Sequence, residues 1–486
     1  MNLISRRSFL EGSIISTLSA AGAALFGVPP FLQRAIAAGV LPDSTKKIFF
    51  IFLRGGNDGI NTIVPWGDSA YNQTNRPSLY LPPPDPLSSV PGKMTVTTDA
   101  TRVIDLGNGF AGAHPALAEV APVFNAGQLA VIHRVGYPKQ SRSHFDSQKY
   151  WENGVPRDNF ESSGIFYRAV VDTGLYQGRA FPAVSVQSTS PLILRGAIAM
   201  PSLADPSRYD LLGVSTGATD KAKLLAAIDT QFRIPYPEKN NRPLLFSTGQ
   251  GLKDSIEALK SVGVERNDFF DTDGTTHLFP LDAASNQKAF PSSAYGFFKN
   301  LKVAAQILAG TDAVVTGTQL DGFDTHSGQG TLAGTHAGLL RRIGWGMYAL
   351  RKFFTDVNPA LWDNVAVVTL SEFGRTTIEN GNDGTDHAEA GVMFVAGGKV
   401  KGGVYQCSNS AWTVGQTGSM FQVNNRYLRR SVDYRSALGE VIRDHLGATP
   451  DQLKTIIPGY ADPREFLQSG GTSPDGTKII GELGLV

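Results

Sequence analysis

Cysteine is almost missing from this chain: Cys407 is the only one among 486 residues. An intramolecular disulfide is therefore excluded, and stability has to come from an apolar core or from a bound metal. An excess of charge is missing too, because 44 basic and 43 acidic side chains leave a net charge of +1. No global field favours nucleic acid or an anionic membrane, so nucleic acid is not expected as a partner. A membrane span needs roughly 20 unbroken apolar residues. The N-terminal stretch from Gly12 to about Val28 falls short of that, broken by Ser13, Ser16 and Ser19 and closed by Pro29-Pro30. A permanent membrane anchor is not expected.

The same N-terminus carries an address. Ser5-Arg6-Arg7-Ser8-Phe9-Leu10 is a twin-arginine signature, and Ala35-Ile36-Ala37 offers small residues for signal-peptidase cleavage. Residues 1–37 read as a cleaved export signal. The twin-arginine translocase is then a passing partner, and the mature protein is expected in the periplasm or secreted. Cargo of that route crosses folded, often with a metal or cofactor already loaded.

The rest is ordinary globular material, at 41% hydrophobic and 18% charged. Residues 38–486 read as one α/β domain with its core at about 46–450 and insertions at about 66–112 and 205–293. The runs KKIFFIFL, QLAVIHRVG, FPAVSVQ, PLILRG, TDAVVTGTQL, VAVVTL and VMFVAGG read as strands. Helical patterns fall between them, in HPALAEVAPVFNAG, after Ser143, at Lys221 to Phe232, 250–265 and 294–309, and in GTHAGLLRRIGWGMYALRKFFTDV. Such alternation predicts an α/β fold, a mostly parallel sheet sandwiched between helices.

Four polar clusters stand at the predicted strand exits: Asp58, Asp324 with His326, Glu372, and Asp386 with His387. Ligands gather beyond the carboxyl ends of parallel strands. Carboxylates and imidazoles are donors that Zn²⁺, Mn²⁺ and related ions take. One Asp-His pair alone also reads as a loop hydrogen bond or a helix cap; four clusters at strand exits point to one or two divalent metals (Zn, Mn, Mg or Ca). Other patterns are decoys. Gly213-Val-Ser215-Thr-Gly217 lacks the preceding strand of a nucleophile elbow, and the acidic turn at Asp271 has the wrong glycine spacing for a calcium loop. His114, His336 and His445 read as structural, and Cys407 as filler.

In order and context, RGGNDGINT, SRSHF, DGFDTH, SEFGRT and the segment from Asp386-His387 to VAGG resemble the alkaline-phosphatase/sulfatase-like superfamily. They are most similar to a twin-arginine-exported bacterial branch catalogued as a domain of unknown function. The resemblance implies two metals above a parallel sheet. Asp58 would serve one, and Asp324, His326 and His387 the other. The turn after VAVVTL would present an Asp-His pair to the first metal but reads Ser371-Glu372, which leaves that site all-oxygen or vestigial. The superfamily's nucleophile position, at a helix start, falls on Ser143, with Ser141 also fitting. Arg142 and His144 would bind a phosphoryl or sulfuryl oxygen or act as acid. Arg375 would clamp an oxyanion or pair with a carboxylate. No formylglycine motif is present, so type I sulfatase chemistry is not expected.

The function expected is hydrolysis or transfer at a phosphate or sulfate ester, on a small-molecule or polysaccharide substrate. The alternative is a catalytically degenerate exported binding or assembly protein of the same fold. A serine esterase through Ser215 is a third reading.

Overall fold

A computed structural model describes residues 46–86, 89–177, 179, 181–204, 223, 226, 227, 230, 262, 263, 266–413, 420, 423, 426–474 and 476–486. The export signal, Ser215 and the expected helices at 221–232 and 250–265 lie wholly or largely outside these residues.

The main sheet has eight strands. They are β1 (Lys47–Leu53), β2 (Leu129–Gly136), β3 (Ala183–Ser185), β4 (Val315–Leu320), β5 (Val365–Leu370), β6 (Gly391–Ala396), β7 (Gly403–Tyr405) and β8 (Val432–Asp433). Their order is β7-β2-β6-β5-β1-β4-β3, and β8 also pairs with β2. Only β6 runs antiparallel to its neighbours β5 and β2; all other pairings in this sheet are parallel.

Alternate residues of one strand enter opposite cores, as the two-residue period of a strand requires. Phe49, Ile51 and Leu53 of β1 pack with Leu301, Leu340 and Phe353. These come from helices α4 (Tyr295–Gly310) and α5 (Thr335–Val357). Ile48, Phe50 and Phe52 pack with Trp151, Phe166 and Leu438 on the other face. That layer holds α2 (His144–Asn153), α3 (Ile165–Asp172) and α6 (Tyr434–Glu440). A short α1 (Gly59–Thr62) follows β1 directly. β1 is buried throughout because both faces are covered, which is why it reads as an unbroken apolar run.

Two expectations need correction. PLILRG forms a 3₁₀ turn at Leu192–Leu194 rather than a strand; so short an apolar run does not distinguish a strand from a buried turn. Asp386 and His387 precede a strand rather than leave one, because β6 is reversed. The reversal brings its amino end to the sheet edge where β1, β2, β4 and β5 end. Four connections therefore meet at this edge: those that follow β1, β2 and β4, and the one that joins β5 to β6. Among the described residues, no helix is long and apolar enough to cross a membrane.

A candidate metal centre at the carboxyl edge of the sheet

The connection after β1 makes the closest approach. Gly55 has φ +115, and a Cβ there would lie 2.3 Å from the backbone nitrogen of Asp324, so only glycine fits. Its N–H donates to Glu372 Oε1 at 2.7 Å. The stretch leaving β5 and the stretch approaching β6 continue as an antiparallel ladder beyond the sheet, with Arg375 opposite His387. Gly374 N–H donates to Glu389 O at 2.8 Å and Ala388 N–H to Gly374 O at 2.9 Å, which fixes the backbone of His387.

Three imidazoles surround one carboxylate. Asp324 is 46% exposed, and His326 Nε2 and His387 Nε2 stand 3.2 and 3.1 Å from its Oδ1. His144 Nε2 faces its Oδ2 at 3.4 Å. Each ring is held from behind through Nδ1. Glu372 Oε1 holds His144 at 3.0 Å, Asp386 Oδ1 holds His326 at 3.1 Å, and the Arg142 carbonyl holds His387 at 2.7 Å. An acceptor behind Nδ1 places the ring proton there, so in the neutral rings every Nε2 turns a lone pair inward. His326 Nε2 and His387 Nε2 are 2.9 Å apart. Two lone pairs at that separation repel unless a proton or a cation lies between them. His144 Nε2 is shielded from solvent and makes no hydrogen bond. Nitrogens bound tetrahedrally at about 2.0–2.1 Å would stand about 3.3 Å apart, against 2.9 Å for His326 and His387.

The electrostatics follow from the same contacts. Burial works to raise the Asp324 pKa, yet Arg375 and His387 hold it at about 2. The hydrogen bond to Glu372 raises the pKa of His144, while burial lowers that of His387. Burial works to raise the Glu372 pKa as well, but bonds from His144, Gln148 and Gly55 keep it below the usual carboxylate value. His144, Asp324 and His387 offer ligand atoms within 4.8 Å of one another. His326 lies outside that group of three, although its Nε2 is 2.9 Å from that of His387; the imidazole-rich surroundings suit Zn²⁺ or a similar transition ion better than Mg²⁺ or Ca²⁺.

Of the residues expected to hold metal, Asp324, His326 and His387 come together. Glu372 and Asp386 stand one layer back and orient imidazoles. Asp58 is elsewhere and fully engaged: its carboxylate accepts from Arg76 at 2.9 Å, Gln329 at 2.7 Å and the N–H groups of Ile60 and Asn61. Burial would raise its pKa, but Arg76 above all holds it low. With donors on both oxygens it caps α1 and closes a buried ion pair. Among the described residues, no group of three or more candidate ligand side chains includes Asp58 or Glu372.

The expected catalytic residues also move. Ser143 caps α2, its hydroxyl accepting from Asp146 N–H at 3.4 Å. Arg142 extends to Glu389 at 3.0 Å and lies over the Tyr427 ring. Arg375 is buried. It donates to the carbonyls of Gly55, Gly56, Phe323 and Thr385 and to Asp324 Oδ1 at 2.5 Å, which ties three strand-edge loops together. His144 is the residue whose ligand position the sequence did not disclose. Its signal is positional: it opens a helix directly after a strand-edge loop. Asn380 and Arg426, which hold Asp386 at 3.0 Å each, carried no signal at all.

An α/β protein with a cluster of histidines around one aspartate at the carboxyl edge of its sheet is thus the class that the fold and site define. Residues 212–425, less than half of the chain, match the family described as "Protein of unknown function (DUF1501)". No curated protein matches the chain. The resemblance to the alkaline-phosphatase/sulfatase-like superfamily is corrected by this result. The match is to a family of unknown function that is not shown to belong to that superfamily, and a mixed α/β sheet does not establish the link. The matched span contains Asp324, His326, Glu372, Asp386 and His387, while His144 lies outside it.

Proposed function

We propose that the protein is an exported, metal-dependent hydrolase of an anionic ester, a phosphate or a sulfate. The observation that carries this reading is His144. A solvent-shielded Nε2 without a hydrogen bond, its ring pinned through Nδ1 by a buried glutamate, faces the carboxylate that His326 and His387 also face. Leaving such a nitrogen unpaired has a price in folding free energy, and coordination removes it. A divalent ion held there would acidify a water and polarise an ester oxygen.

The surrounding residues supply the rest. His144 is the first residue of α2, so the positive end of that helix adjoins the cluster and favours an anionic group. Ser143 is occupied as a cap, so water is the attacking group. Its oxygen bonds to phosphorus or sulfur, the ester bond breaks, and the alcohol departs with a proton. The twin-arginine signature supports action outside the cytoplasm.

Metal analysis of the purified protein, paired with aryl phosphate and aryl sulfate hydrolysis, is the test. Near-stoichiometric transition metal is expected, with metal and turnover both lost in Asp324→Ala. Metal-free wild-type protein, refractory to reloading, would sink the reading.

A further inference from the structure

A second feature adjoins the residues that orient the cluster. A groove of about 540 Å³ opens between α2 and the ends of β1 and β4, lined by Arg54, Phe145, Gln148, Glu152, Gln319 and Asp321 among others. Gln148 links the groove to the support behind the cluster, since its amide also donates at 3.0 Å to Oε1 of Glu372, the residue that holds His144. Phe145 is the residue after His144, and Asp321 stands three positions before Asp324.

The lining mixes polar side chains, which brace one another, with the apolar Phe145, Pro191 and Leu192. Arg54 bonds Glu152 and, at 3.1 Å, the side-chain Oε1 of Gln319, while the Gln319 side-chain amide donates to Asp321 at 3.1 Å. Arg54, Lys149 and Arg195 stand against Glu152 and Asp321, so the groove is close to charge balance. An apolar ligand would strand these donors and acceptors. A purely anionic one would meet Glu152 and Asp321 as well as the three cations. A polyhydroxyl ligand suits them, because each hydroxyl both donates and accepts. Phe145, at 88% exposure, supplies an aromatic face at the rim, where a large apolar side chain otherwise gains nothing by facing water. The volume falls within the few hundred Å³ typical of small-ligand sites and accommodates one or two sugar rings.

We propose that this groove is a saccharide subsite. It rests on the hydrolase reading for its direction: the sugar rings occupy the groove and stack on Phe145, and the ester group they carry reaches the histidine cluster. The substrate class is then a phosphorylated or sulfated saccharide rather than a simple alkyl or aryl ester.

The test is titration calorimetry on the metal-loaded full chain. The probes are a panel of 6-sulfated and 6-phosphorylated mono- and disaccharides, with inorganic sulfate and phosphate as references. At least one saccharide ester is expected to bind roughly tenfold or more tighter than its free anion, and Phe145→Ala to remove roughly tenfold of that affinity. Asp321→Asn is expected to weaken the same ligand, and Val96→Ala, exposed but away from the groove, to leave it unchanged. Saccharide esters that bind no better than the free anions would overturn the proposal, as would folded Phe145→Ala and Asp321→Asn proteins of full affinity. Unesterified disaccharide that still binds metal-free Asp324→Ala protein supports the groove even where the hydrolase reading has failed. Aryl ester turnover without saccharide binding separates the two the other way.

Discussion

Asp58 and Asp324 follow the carboxyl ends of two strands paired side by side, β1 and β4, yet they do opposite things. Asp58 is wholly buried against Arg76, with Gln329 and two backbone N–H groups completing its partners. Asp324 is half exposed and faces three imidazoles, with one oxygen also taken by Arg375. The first is an aspartate consumed by the fold; the second is held in place for something else to bind. A carboxylate at a strand end does not by itself say which. What decides is whether the neighbours are permanent donors, such as guanidinium, amide and N–H, or imidazoles whose lone pairs can turn inward.

The histidines divide in the same way. His114, His133, His336 and His445 are buried, and burial depresses their pKa values to about 4, 3, 3 and 4. Each bonds a carbonyl or amide oxygen: Thr331, Ile63, Asn57 and Lys47 in that order. They are neutral structural rings. His144, His326 and His387 instead share a carboxylate.

The sharpest way to break the comparison is to remove one partner from each aspartate. Arg76→Ala leaves Asp58 as an uncompensated buried charge, and denaturant unfolding should show a loss of about 3–5 kcal/mol. Asp324→Ala, measured without metal, should lose less, because the Asp324 carboxylate is open to solvent and its buried partner Arg375 keeps four carbonyl acceptors. Equal losses would mean that the two sites are both structural, and the functional assignment of Asp324 would fall with that result.

A smaller effect separates holding a ligand from being one. Glu372 touches no position where an ion would sit through its paired oxygen; it fixes the His144 ring. Glu372→Gln should therefore weaken metal affinity by roughly 10–100-fold rather than abolish binding, the usual cost of losing an outer partner. Competition with a chelator of known affinity measures this. Complete loss of metal would promote Glu372 to a direct ligand through Oε2, which has no hydrogen bond in the structure.

Much of the frame was legible in the residues. KIFFIFL and VAVVTL read as strands because burial on both faces leaves no polar alternation, and parallel pairing sends their loops to one edge. The direction of β6 was not legible, because an apolar run has no sense of direction. Nor was the fate of Asp58, since Gln329 is 271 positions away in sequence. His144 drew attention as a residue for binding oxygen or donating a proton, but its ring is aimed by Glu372, 228 positions on. Short-range pattern finds the strand ends; long-range partners assign the roles.

The smallest expected effect bears on the nucleophile. Ser143 opens α2 and caps Asp146 N–H, so Ser143→Ala should reduce stability by about 1 kcal/mol, the ordinary cost of losing a cap. If water attacks the ester, metal content should stay stoichiometric and turnover should remain within a few-fold of wild type. Ser143→Thr should restore the lost stability, because threonine also caps helices. A nucleophilic serine behaves differently: Ser143→Ala would remove turnover by orders of magnitude while metal content and fold persisted. Stability and turnover thus answer separately. The cap assignment stands only if the stability change is present and the turnover change is not.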